Sequence, residues 1–178
     1  MSSNLKRWCC FVFGWLGLSG CASVDVTQYG AEQPVLELPA YFNGTLDAWG
    51  MFQDRSGKVV KRFNVVIKAH WQGDVGTLDE SFVYSDGSTQ KRIWTLTRQS
   101  NGTYIGRADD VVGEAIGEIS GNALHWRYVM ALPVDGKVYN VDFDDWMFLM
   151  DDKTMLNRSS MSKFGFHLGE VTLSFRKR

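Results

Sequence analysis

Few residues in this chain have the type and spacing to do chemistry together. His70, His125 and His167 stand far apart, with no metal-ligand spacing among them and no HExxH. There is no GxSxG elbow, no P-loop and no GxGxxG. Asp142, Asp144 and Asp145 crowd the stretch VDFDDWM, yet alternation along a strand separates Asp145 from the other two, so they form no paired-carboxylate site. Asp151-Asp152 reads as a solvated turn rather than a calcium loop. What remains is a set of four, Glu80, Arg92, Asp145 and Arg158. Gathered on one interior, an arginine of this set would receive a carboxylate or phosphate head group while Trp94, Trp126 and Tyr128 cover an apolar tail. The carboxylates alone would offer a general base. Paired ions that merely fix strand register are the competing reading. No catalytic residue, metal or cofactor is assigned.

The elements that would position this set are strands. Turn dipeptides recur from Tyr41 onward, at Ser56-Gly57, Gly73-Asp74, Asp86-Gly87, Asn101-Gly102, Gly121-Asn122 and Asp135-Gly136. Between them the apolar pattern has period two. Phe63, Val65, Ile67, Ala69 and Trp71 alternate with polar neighbours, as do Val171, Leu173 and Phe175. One dry and one wet face per strand marks an antiparallel sheet. About eight to ten such strands in succession predict an all-β, up-and-down barrel, which removes the edges a long meander would expose; a sandwich is second. The glycines of VVGEAIGEISG, at 113, 117 and 121, mark a bend or a close approach within it.

Register then assigns faces. A two-residue turn at Asp135-Gly136 sets Leu132 against Tyr139, Met130 against Val141, Tyr128 against Phe143, Trp126 against Asp145 and Leu124 against Met147. Asp145 becomes the one charge on that inner face, and a buried carboxylate needs a partner. The Trp126 indole is one candidate. Arg158 is another, because a two-residue turn at Asp152-Lys153 sets Asp145 against Ser160 with Arg158 diagonal to it. A three-residue loop at Asp86 to Ser88 brings Glu80, Phe82 and Tyr84 inward with Arg92 and Trp94.

The start of the chain carries an address. Lys6 and Arg7 precede an apolar run, Trp8 to Leu18, too short to span a membrane, and small residues lead into Cys21. The stretch Leu18-Ser19-Gly20-Cys21 resembles the lipobox of bacterial lipoproteins. That resemblance implies a signal peptide over 1–20, lipid on Cys21, and a lipidated tether over 21–40 before a barrel domain over 41–178. Ala22 and Ser23 supply no aspartate to retain the protein at the inner membrane, which implies the periplasmic face of the outer membrane. Cys9 and Cys10 leave with the signal and Cys21 is consumed by lipid, so no thiol remains for a disulfide or a nucleophile. Cleavage leaves 17 basic and 20 acidic residues without a basic block, which argues against nucleic acid.

The segments LDESFVYSDGSTQKRIW, YIGRADDVVGEAIGEISGNAL, DDWMFLMDDKTMLNRSSMSKFG and GEVTLSF together resemble a proteobacterial family of lipoproteins of unknown function. The likeness covers nearly all of the chain after the tether, and its motifs hold Glu80, Arg92, Trp94, Asp145, Trp146, Asn157 and Arg158. It implies no catalytic residues, and the genes near such members point towards lipid handling. Similarity to lipocalins is architectural, since Trp49 precedes Gly50 where a lipocalin has Gly-x-Trp. The reading is therefore a non-enzymatic module holding an acyl or other apolar ligand. An assembly partner using an exposed patch of Trp146, Phe148 and Met150 is the alternative, and a lipid-modifying enzyme a third.

Overall fold

Ten strands follow one another, each pairing antiparallel with the next in the chain: β1 (Gly44–Asp54), β2 (Val59–Gln72), β3 (Val75–Tyr84), β4 (Thr89–Arg98), β5 (Tyr104–Arg107), β6 (Val111–Ser120), β7 (Ala123–Val134), β8 (Lys137–Leu149), β9 (Thr154–Lys163) and β10 (Phe166–Lys177). In this computed structural model, which describes residues 23–178, β10 pairs back onto β1 from Leu46–Lys177 to Asp54–Gly169 and closes the barrel. The signal segment 1–20 and Cys21 lie outside the described residues. Period-two patterning produces this result directly. Every inward side chain of β2, from Phe63 to Trp71, finds an apolar neighbour, and closure leaves no ladder unpaired.

Glycine lets the larger aromatic rings fit. Gly50 pairs with Phe63, Gly76 with Trp71 and Gly117 with Trp126 across neighbouring strands. In each case the ring folds over the glycine, where a Cβ would collide with it. The Trp126 ring reaches further, over Gly106 of β5. The glycines of β6 thus have separate jobs. Gly117 admits Trp126, whereas Gly113 has a positive φ of 74° within the register shift between Val112 and Ile116.

The residues ahead of the barrel pack against it, contrary to the tether expected over 21–40. A 3-10 turn (Val26–Tyr29) and a short helix, α1 (Leu38–Tyr41), run along and under the barrel. Leu36, Leu38, Tyr41 and Phe42 are buried. Three hydrogen bonds tie this segment to three different hairpins: Leu36 N–H donates to Gly121 O (2.8 Å), Trp71 Nε1–H to Phe42 O (2.9 Å) and Tyr41 O–H to Lys153 O (3.1 Å). Together they close the end that holds the β2–β3, β4–β5, β6–β7 and β8–β9 turns. Tyr29 also packs on Trp146 and Phe148, with ring centroids 5.8 and 5.1 Å apart, and His125 stacks on Trp146 at 4.1 Å. The expected apolar patch is therefore largely covered by the chain itself, and Met150 alone of the three is exposed.

Candidate ligand-binding site

The barrel encloses a cavity of about 1310 Å³ that runs from Leu38 and Phe42 at the closed end to Lys61, Val138 and Lys163 at the other. That exceeds the roughly 300–1,000 Å³ usual for a small-molecule site. Apolar side chains such as Val65, Ile67, Leu96, Val141 and Leu173 form most of its wall. Midway, Trp94 meets Trp126 and Tyr128 edge to face at 5.5 to 5.8 Å, and Tyr128 stacks on Phe143 at 5.0 Å. Glu80, Arg92, Trp94, Trp126, Tyr128 and Asp145 all line this one space.

Three hairpins place them. The β7–β8 register is the one the Asp135-Gly136 turn predicts, with Trp126 opposite Asp145. Between β3 and β4 the loop is Ser85 to Gly87, closed by Tyr84 N–H donating to Ser88 O (2.9 Å). The faces match those of the expected Asp86–Ser88 loop, but the pairing moves by two residues along the strand, so Glu80 faces Arg92 directly. The β8–β9 turn differs. Asp151 Oδ1 accepts from the N–H groups of Lys153 (2.8 Å) and Thr154 (2.7 Å), holding a three-residue loop. One extra turn residue flips the parity of β9. Asp145 consequently faces Ser159, not Ser160, and Arg158 points out of the barrel. Its side chain is 71 % exposed and bonded to Glu170 at 2.7 and 3.1 Å. Arg158 is no part of the cavity.

The remaining interior arginine is already engaged. Arg92 donates through Nε to both oxygens of Asp110 (2.9 and 3.1 Å) and through Nη2 to the same carboxylate (2.8 Å), while Nη1 lies 3.7 Å from Glu80 Oε2. Asp110 is the member of this cluster that sequence reasoning missed. It sits in the loop between β5 and β6, fixed by Ala131 N–H donating to its carbonyl (2.8 Å). Nothing in the stretch ADDVVG distinguishes it from Asp109. Burial pushes the Glu80 carboxyl up to about 7, against the pull of Arg92.

Asp145 is held differently. Its Oδ2 accepts from the Tyr128 hydroxyl (3.1 Å), so the phenol rather than the Trp126 indole is its partner. Burial pushes its carboxyl up to about 6, with Ser159 and Tyr128 acting to hold it down, and burial also raises the Tyr128 phenol well above its ordinary range. Ser159, directly opposite, lies near enough to favour the carboxylate, but no hydrogen bond of acceptable geometry joins them. Asp145 Oδ1 and Ser159 Oγ are both buried without a partner. Among the described residues no group of three His, Cys, Asp or Glu could hold a metal ion.

The chain belongs to the family described as "Protein of unknown function (DUF3833)", which matches residues 15–177. No curated protein matches it. Among solved structures it is similar to the S-type phycobiliprotein lyase CPES of Guillardia theta, with a TM-score of 0.55 at 7% identity over 76% of this chain and 88% of that one. It is also similar to EF1p2_mFAP2b bound to DFHBI (TM-score 0.44, 8% identity, 85% and 99% covered). A third is lobster apocrustacyanin A1 (TM-score 0.43, 14% identity, 89% and 71% covered). At such identities the likeness is one of fold: a lipocalin-like barrel.

Proposed function

We propose that this DUF3833 member is a non-enzymatic binding module that holds an acyl chain or another apolar ligand inside its barrel. On this reading it is carried on the periplasmic face of the outer membrane by lipid on Cys21. The cavity is the observation that carries the ligand reading. Protein interiors pack to a density near 0.75, and an apolar void costs about 24 cal/mol per Å³ relative to a filled one. A cavity of about 1310 Å³ lined by aliphatic and aromatic side chains is a built space, not a packing defect. The binding reading is preferred to a lipid-modifying enzyme because Arg92 is neutralised by two carboxylates and no histidine lines the cavity to activate Ser159. The address rests on the sequence around Cys21.

The test is native mass spectrometry of the purified full chain with organic extraction of what co-purifies. The expected result is a stoichiometric apolar species, displaced in Val141→Trp, which fills the wall beside Phe143, with an unchanged far-UV spectrum. A protein that arrives empty and ignores added fatty acids, phospholipids and hydrocarbons would overturn it. For the address, Cys21→Ser should abolish acyl labelling; undiminished labelling would remove the anchor.

A further inference from the structure

The cavity wall has a chemical sign that bears on what it holds. The wall carries Glu80, Asp109, Asp110 and Asp145 against Arg92, Lys61 and Lys163. With the two lysines at the rim and Asp109 exposed, the deeper charges are three carboxylates against the single guanidinium of Arg92. Arg92 faces Asp110, Glu80 and the Met130 sulfur (3.5 Å), and its plane lies over Phe82 at 5.3 Å. An anionic head group at this depth would meet no free donor of charge and at least one carboxylate. Beside this closed cluster are two open valences, Asp145 Oδ1 and Ser159 Oγ, on side chains 6% and 2% exposed. Both residues line the same cavity, on facing positions of β8 and β9. A buried carboxylate oxygen without a donor costs on the order of a lost hydrogen bond or more. Glu80 keeps only its 3.7 Å contact with Arg92, but among the described residues Asp145 Oδ1 and Ser159 Oγ are the side-chain atoms of this wall that are fully buried with no hydrogen-bond partner, which makes them a site.

We infer that the apolar ligand carries a hydrogen-bond donor, an amine, hydroxyl or amide N–H, which seats between Asp145 Oδ1 and Ser159 Oγ, and that carboxylate or phosphate head groups are excluded from that depth. The inference rests on the binding reading above and names its ligand class. It replaces the anion receiver that the sequence suggested, because the arginine needed for that role is engaged in one case and outside the barrel in the other. An anionic amphiphile still has a place for its head at the mouth, where Lys61 and Lys163 line the rim, but there it would not feel Asp145.

The experiment is isothermal titration calorimetry of the full chain at pH 8 with three probes of equal chain length: dodecylamine, dodecanol and dodecanoate. Dodecylamine should bind at least tenfold tighter than dodecanoate, the scale of one charge-assisted hydrogen bond. Asp145→Asn should remove that preference and leave dodecanoate unchanged or improved. Ser159→Ala deletes an unpartnered hydroxyl and so spares the fold; it should weaken dodecanol by about two- to tenfold. Equal binding of all three probes, or a preference for dodecylamine that survives Asp145→Asn, overturns the inference while leaving the binding module standing. Binding of none of the three overturns both.

Discussion

The two ends of the barrel are built on opposite terms. At the closed end, the segment from Leu36 to Phe42 covers the opening, buries four large side chains and is hydrogen-bonded to three separate hairpins. At the other, Phe164, Phe166 and Val138 stand 86, 75 and 67 % exposed on the β9–β10 and β7–β8 hairpins, and among the described residues no segment covers them. Apolar surface has been collected at one end and left in water at the other. The difference teaches where a ligand must enter. A plug tied to three hairpins opens only with partial unfolding, whereas the mouth needs no rearrangement.

The largest test of this contrast is a pair of truncations. Leu38 is 1 % exposed beneath the cavity floor, and Leu38→Ala should cost about 2–5 kcal/mol of stability. Phe166→Ala, a larger deletion, should change stability by only about 0.5 kcal/mol because its ring is already hydrated. Denaturant titration of both decides it: comparable losses would mean that the mouth is packed in solution. Next in size is Trp71→Phe. It strips the donor from the Phe42 carbonyl and should cost about 1–3 kcal/mol. No loss would show that the plug is not held by its hydrogen bonds.

Acid separates the ends from the wall between them. The Leu36, Tyr41 and Trp71 hydrogen bonds of the plug join neutral groups, and its further tie, Lys177 Nζ donating to Ala40 O, involves no carboxylate, so the penalty for Leu38→Ala should be the same at pH 5 and pH 8. Glu80 and Asp145 behave otherwise, because burial raises them to about 7 and about 6 from ordinary values of 4.5 and 3.8. A carboxyl raised in the folded state binds more protons folded than unfolded across that window. Its stabilising contribution is fully present below about pH 4 and is lost as pH rises through 6 and 7. These two groups should therefore make the barrel less stable at pH 8 than at pH 5, opposite to an ordinary paired carboxylate. Asp145→Asn should remove its share, on the order of 2 kcal/mol at pH 8. Thermal melts across that range check it, and a variant with an unchanged pH slope would move the effect elsewhere.

Legibility followed the same division. The wall could be read where a turn has one solution: Asp135-Gly136 sits between strands whose apolar faces agree only in one register, and Trp126 and Asp145 fell into place together. The β8–β9 hairpin gave no such guard. Met155 and Leu156 are both apolar, so either parity of β9 offers a plausible inner face. The decision belongs to the Asp151 side chain, which stabilises a third loop residue. Met155 is buried and Leu156 is not. Asp110 was invisible because its partner is 18 residues away, across a loop with no pattern. The plug was invisible for a related reason. The buried residues Leu36 and Leu38 belong to a segment hydrogen-bonded to three separate hairpins through Leu36, Tyr41 and Phe42, and no periodicity records that.

The smallest effect sits at the tip of the mouth. Phe164 and Gly165 form the β9–β10 turn with φ of 52° and 78°, the left-handed pair that a two-residue hairpin demands. Glycine takes such a value freely; a phenylalanine does not, and asparagine is the residue that ordinarily fills the first position. Local backbone strain is thus combined with an aromatic ring left in water, two local costs at one residue, offset only by the Lys163 ammonium 5.2 Å from the ring centroid. Phe164→Asn should therefore raise stability, by about 0.5–1 kcal/mol, where most surface changes do nothing. If the ring serves entry to the cavity, the same variant should slow ligand uptake in stopped-flow tryptophan fluorescence without weakening equilibrium binding. A variant that is more stable and loads at the original rate would leave the mouth as mere exposed surface, and the asymmetry between the ends would then concern the plug alone.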